Sequence, residues 1–168
     1  MPAGGTYEPI ATTTLGSAQQ TVTFSSISGS YTDLVLVASR RFSNVGTGAE
    51  NTFIRFNQSE TGNIYSTTYL LNGPGTGRIN NANNLYTSSG GNETADRYSV
   101  DIYNIFNYAK TTTFKTSLLT HNFGNAMMQK WVGIWRSTDA ITRIDVIGSG
   151  SATFATGSTF TLYGITAA

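Results

Sequence analysis

The sequence predicts an all-β domain: an antiparallel two-sheet β-sandwich, jelly-roll-like, with eight or nine strands. Three observations predict it. Period-two alternation recurs along the chain, most clearly at residues 157–165, where Thr159, Thr161 and Tyr163 alternate with Phe160, Leu162 and Gly164 after a Gly-Ser turn. The composition suits pleated surfaces and turns: there are 27 threonines and 18 glycines, with much Ser and Asn. Charged residues make up only 11% of the chain, less than half the usual ~25%, whereas exposed helix faces would call for Glu and Lys. A length of 168 residues fits one domain with a real core. A closed barrel is the alternative architecture.

In chain order, residues 1–20 read as an extended N-terminal arm, rich in Gly, Thr and Ala, with Tyr7 and Ile10 as isolated anchors. The sandwich proper then runs over residues 21–168. Residues 21–26 alternate, with Val22 and Phe24 inward. Residues 34–38 are apolar on both faces, as in a central strand covered on both sides. A polar loop precedes a short strand at 52–56, and residues 64–71 are ambiguous between a strand and a short helix.

Residues 72–96, with Asn80, Asn81, Asn83, Asn84, Gly90 and Gly91, read as one long loop. A connection of that length is either functional or ordered by a partner. Alternation then returns. Tyr98, Val100 and Ile102 share one face, Leu118 and Leu119 take opposite sides, and Trp131, Gly133 and Trp135 alternate with Val132 and Ile134. Near the end, Ile144 and Val146 oppose Arg143 and Asp145. The closing strand ties the C-terminal segment into a sheet.

Several functions are disfavoured. The net charge is +1 and the three lysines are dispersed, so no basic run can neutralise several phosphates and nucleic acid is not an expected partner. Cysteine is absent, which removes disulfides, thiol nucleophiles and Cys-ligated zinc. No run of 18 apolar residues indicates a membrane span, and the N-terminal residues lack the basic and apolar regions of a signal peptide.

Residues that carry chemistry are sparse. His121 is the sole histidine, and no nucleophile motif is tied to it, so a structural role is expected. The nine carboxylates form no distinctive pair, and Asp145 is expected to pair with Arg143, its same-face neighbour. Residues 92–96 offer oxygens but not EF-hand spacing, and Gly73, Gly75 and Gly77 lack the Lys-Ser/Thr of a phosphate loop. No catalytic residue, metal ligand or cofactor is expected.

Two features suggest contact surfaces. Trp131 and Trp135 point the same way; exposed, they would form a stacking platform, and buried, which is the commoner fate of large aromatics, they are core. Tyr65, Tyr69 and Tyr86 lie near the Asn/Gly-rich segment, a combination suited to an adaptable surface. With Tyr7 and Ile10, these residues are the candidate partner-binding set.

Residues 7–17, 22–27 and 31–37, together with the closing 157–165 segment, resemble the two ends of small virion structural proteins of tailed bacteriophages. The middle of the chain carries no such likeness. The resemblance implies a non-enzymatic β-sandwich in the virion, assembled in the host cytoplasm. It would act as a capsid decoration or cement protein that clips neighbouring major capsid subunits together, working as a homotrimer. The alternative it implies is a tail or fibre-tip sandwich that binds a host receptor or carbohydrate through Trp131, Trp135 or the tyrosines.

Overall fold

The computed structural model describes residues 6–43, 50–60, 62–71, 75–90, 97–123 and 127–166. The described residues contain no helix and form twelve strands: β1 (Tyr7–Thr14), β2 (Thr21–Phe24), β3 (Asp33–Arg40), β4 (Glu50–Phe56), β5 (Tyr65–Leu70), β6 (Thr76–Ala82), β7 (Leu85–Gly90), β8 (Ser99–Phe106), β9 (Lys115–Phe123), β10 (Met127–Trp135), β11 (Ile144–Gly148) and β12 (Thr159–Ile165). They make two sheets, one of eight strands in the order β1-β12-β3-β8-β9-β10-β5-β6, the other of four in the order β2-β11-β4-β7. All the pairings are antiparallel. The all-β sandwich is as the alternation predicts. Its division of eight strands against four differs from the eight-stranded jelly roll.

Three strands are additional to the eight or nine read from sequence. The arm is not free: β1 pairs with β12 of its own chain, with a bulge between Pro9 and Ala11. The 72–96 segment is not one loop, because it contains β6 and β7. β6 ends the large sheet beside β5, and β7 ends the small sheet beside β4. The Asn83-Asn84 turn therefore carries the chain from one sheet to the other, and Asn81 at φ 54° takes the left-handed conformation that Asn tolerates. Edge strands bury little and carry polar residues on both faces, so the period-two signal is weak there.

The ambiguous 64–71 segment is β5, a strand. Residues 34–38 fall in β3, which lies between β12 and β8 inside the large sheet. Leu34, Leu36 and Ala38 are fully buried.

Between the sheets, Val22, Phe24, Ile54, Phe56, Ile144 and Val146 of the small sheet meet Leu36, Tyr103, Leu119, Trp131, Phe160 and Leu162 of the large one in one core cluster. Beyond the reach of the small sheet, the segment before β3 covers the large one. Tyr31 lies so close to Gly164 that a Cβ there would stand 2.3 Å from its ring. Tyr108 fastens this cover, accepting from the Tyr31 N–H at 3.1 Å and donating to the Ser28 carbonyl at 2.5 Å.

Candidate functional site: sheet faces and a buried polar cluster

The candidate partner-binding residues separate into three environments. Tyr65, Trp131 and Trp135 are core: Trp131 and Trp135 retain 5% and 1% exposure, and Tyr65 none. They point inward because Tyr65 and Trp135 are register partners, as are Tyr69 and Trp131, on the face that meets the small sheet. The Trp131 indole N–H donates to Gln129 Oε1 at 2.9 Å, and Trp135 packs on Phe56 and Tyr65. The Tyr65 hydroxyl accepts from the Phe56 N–H at 3.0 Å, and burial pushes its phenol up to about 12. Of the two readings of Trp131 and Trp135, core is the one their burial supports, and they leave the partner-binding set.

Ile10, Tyr69 and Tyr86 are half-buried and pack against that core. The bulge in β1 turns Ile10 inward, and the Tyr69 ring lies 4.7 Å from Trp131. Tyr86 makes an edge contact with Phe53 at 4.6 Å. Of the seven, only Tyr7 is well exposed, at 59%, with its ring edge-on to Tyr163. The 92–96 oxygens and Gly73 lie outside the described residues.

His121 is fully buried on the inner face of the large sheet, level with Asp101 of β8 and Gln129 of β10. Its Nδ1 lies 2.5 Å from Asp101 Oδ1, and Arg40 Nε donates to Asp101 Oδ2 at 2.8 Å. All three side chains have no exposure. Burial by itself would raise the Asp101 carboxyl, but the Arg40 charge and the His121 hydrogen bond outweigh it and hold the pKa below the ordinary carboxylate value. Tyr103, one position along β8 on the same face, is pushed well up by burial and by the Asp101 charge; Thr87 lies 3.3 Å from its hydroxyl. Sequence reading treats His121 as structural but does not find its partners, because the pairing depends on the β8–β9 register.

The outer faces of the two sheets are opposite in character. On the small sheet, Thr23, Asp145 and Arg55 stand in one register row. Asp145 accepts from Arg143 Nε at 3.0 Å, the pairing that the alternation predicts, and from Thr23 Oγ1 at 2.6 Å. Arg55, Arg143 and Asp145, with Gln20 and Glu60, line an open polar cleft of about 540 Å³.

On the large sheet, one outer row runs Thr12, Thr161, Val37, Ile102, Thr120, Lys130, Leu70. The next runs Tyr163, Val35, Asn104, Leu118, Val132, Thr68. Val132 is 49% exposed and Leu70 51%, and Val100, Ile102, Phe106 and Leu118 are 36–39% exposed. These apolar residues share the outer face of the large sheet with Thr68, Asn104, Thr120 and Lys130. Alternation gives their shared face but not which side of the sheet is covered.

No protein-family model, no curated protein and no solved structure matches the chain.

Proposed function

We propose that this protein is a non-enzymatic virion structural protein of a tailed bacteriophage, a decoration or cement protein that binds neighbouring major capsid subunits and copies of itself. The observation that carries the reading is the uncovered, charge-poor outer face of the large sheet, an adhesive surface on a rigid scaffold. Exposed apolar side chains gathered on one face of a folded domain suit an interaction surface. The likeness of residues 7–17, 22–27, 31–37 and 157–165 to virion proteins supplies the setting. Burial and clamping of the sole histidine favour scaffold over chemistry.

Attachment of this kind depends little on screened ion pairs, so it tolerates salt. Purified protein is expected to rebind its own stripped virions equally at low salt and near 1 M NaCl, and an antibody label on intact virions is expected on the head. Release by salt, or label confined to the tail, contradicts the proposal. Label on the tail would favour the receptor- or carbohydrate-binding alternative. With Trp131 and Trp135 in the core, that function would have to use the polar cleft of the small sheet and the nearby Phe53–Tyr86 pair.

A further inference from the structure

We infer that the polar cleft on the outer face of the small sheet binds a neutral saccharide. The cleft is separate from the outer face of the large sheet and takes no part in the proposed capsid docking.

Charge narrows the ligand first. The cleft holds two arginines and two carboxylates, paired as Arg55 with Glu60 and Arg143 with Asp145. These formal charges cancel, so neither a phosphate nor a cationic chain finds opposite charge left over. Hydrogen-bonding capacity, by contrast, is left over in both senses. Arg55 gives Nε to Asn84 at 2.8 Å and Nη1 to Glu60, and its Nη2 has no partner among the described residues. Asp145 Oδ1 accepts from Thr23 and Arg143, whereas Oδ2 accepts only from Arg143 Nε, at 3.1 Å. A ligand hydroxyl can donate to such a carboxylate oxygen and accept from such a guanidinium. Asp145 and Arg55 are register partners on adjacent strands, close enough to serve one ligand.

The surface there is also amphipathic. Ile147 lines the cleft, and its register row continues to Phe53 and Tyr86, half-buried side chains beside the Asp145–Arg55 row. A sugar ring carries hydroxyls at its rim and C–H groups on its faces. The polar row suits the first and the Ile147–Phe53–Tyr86 row the second. A volume of about 540 Å³ falls within the ~300–1,000 Å³ of small-molecule sites.

The polar wall is fixed before a ligand arrives. Asn57 and Gln58, just after β4, are successive non-glycine residues in the left-handed conformation, at φ 50° and 57°. Such residues persist where surrounding contacts over-determine them, and they gather at ligand sites. Asn57 Oδ1 accepts from the Thr142 and Arg143 N–H groups at 2.9 and 3.0 Å, and its Nδ2 donates to the Ala140 carbonyl at 2.8 Å. The Gln58 amide oxygen, turned toward the guanidinium, accepts from Arg143 Nη1 at 2.7 Å. Arg143 is thus held between Asp145 and Gln58, and a ligand need not order it.

The test is saturation-transfer NMR on the full chain. The probes are glucose, galactose, mannose and N-acetylglucosamine as free sugars, dextran and mannan as neutral chains, and dextran sulfate as the charged counterpart. Each is used at about 10 mM in sugar units, enough to register millimolar affinity. At least one neutral probe is expected to bind, and to bind equally at low salt and near ~1 M NaCl. Its affinity is expected to fall at least about tenfold in Arg55→Ala and in Asp145→Asn. Native tryptophan emission checks folding, and Gln58→Ala, at an exposed position, replaces a variant that fails the check. Tighter binding of a chain than of its own sugar assigns a polymer segment to the cleft, and the reverse assigns a free sugar.

No binding by any neutral probe, binding that the cleft variants leave unchanged, or a salt-sensitive preference for dextran sulfate overturns the inference. The same variants are offered to stripped virions and are expected to rebind as the wild type does. If they lose rebinding while no sugar binds, the cleft is a protein contact and the saccharide is refuted. If sugar binding is lost and rebinding is kept, the cleft and the docking face are separate sites, as inferred.

Discussion

Replacing Asp101 by Asn tests the buried polar cluster most directly. The carboxylate uses each oxygen for a different partner, Oδ2 for Arg40 Nε at 2.8 Å and Oδ1 for His121 Nδ1 at 2.5 Å. The amide keeps the shape but removes the charge, and its NH2 can accept from neither donor. The Arg40 guanidinium, which has no exposure, loses its ion pair with Asp101. Breaking a buried ion pair by removing one partner costs about 3–5 kcal/mol. That is a large part of the ~5–15 kcal/mol that holds a domain folded. For a domain of this size each kcal/mol moves the melting temperature by about 2–4 °C, so the expected fall is about 6–20 °C.

Urea unfolding followed by tryptophan emission measures the effect cleanly, because both tryptophans, Trp131 and Trp135, are buried and report the same core. Replacing His121 by Leu leaves Asp101 Oδ1 without that donor and is expected to cost about 1–3 kcal/mol. The double variant is expected to lose less than the sum of the two, with a coupling above ~0.5 kcal/mol, since both changes act on one network. A loss below ~1 kcal/mol in Asp101→Asn with an unchanged urea slope, or strict additivity with His121→Leu, refutes the cluster as an element of stability.

Three other perturbations have defined outcomes. The folded-state pKa of Asp101 is held below its unfolded value of ~3.9, so its contribution is fully present above that pH and is lost as the pH falls through the folded pKa. The wild-type urea midpoint should therefore decline more steeply from about pH 5 to pH 3 than that of Asp101→Asn, and equal slopes would contradict the assignment. Gly164→Ala places a Cβ 2.3 Å from the Tyr31 ring and is expected to cost about 1–3 kcal/mol by overpacking, relieved when Tyr31 is also Ala; no loss would mean that Tyr31 swings away freely. Deleting residues 1–14 removes β1 and leaves the backbone of β12 as an open sheet edge. Light scattering should then show growth of large aggregates at concentrations where the full chain is clear, and an unchanged profile would show that the edge needs no cover.

What was legible in the sequence follows from what each signal measures. Alternation reports a strand with two unlike faces, so the strands at 21–24, 99–106, 127–135 and 159–165 read through clearly. β6 and β7 were lost in an apparent loop because they lie at sheet edges among Asn, Gly and Ser, where composition speaks for turns and no fully apolar face speaks for a strand. β1 was read as an arm because its exposed threonines bond across to β12, Thr12 to Thr161 at 3.1 Å and Thr14 with Thr159 at 3.2 Å, a partner 145 residues or more away. Of the candidate contact residues, Tyr65, Trp131 and Trp135 were misplaced by the same cause. An aromatic on an alternating strand has a face in sequence, but only pairing with the other sheet decides whether water reaches it.

β8 shows how far that indeterminacy goes and why it bears on function. By hydropathy alone, Val100, Ile102 and Phe106 would be the buried side of the strand and Ser99 and Asp101 the wet side. The fold does the reverse: Ser99, Asp101, Tyr103 and Ile105 are buried, whereas Val100, Ile102 and Phe106 are more than a third exposed. A single strand could not hold this orientation against its own hydropathy. It does so because Arg40 from β3 and His121 from β9 meet Asp101 on the inner face and supply the partners that make its burial tolerable. The polar cluster thus fixes the register and sidedness of β8, and the apolar residues are delivered outward as a consequence. If the large-sheet face is a docking surface, the cluster and the interface are two sides of one strand. Asp101→Asn would then disturb association through the orientation of Val100 and Ile102 before it unfolds the domain, an effect that light scattering at a denaturant concentration below the unfolding transition would detect. Association unchanged up to the onset of unfolding would separate the two and confine the cluster to stability.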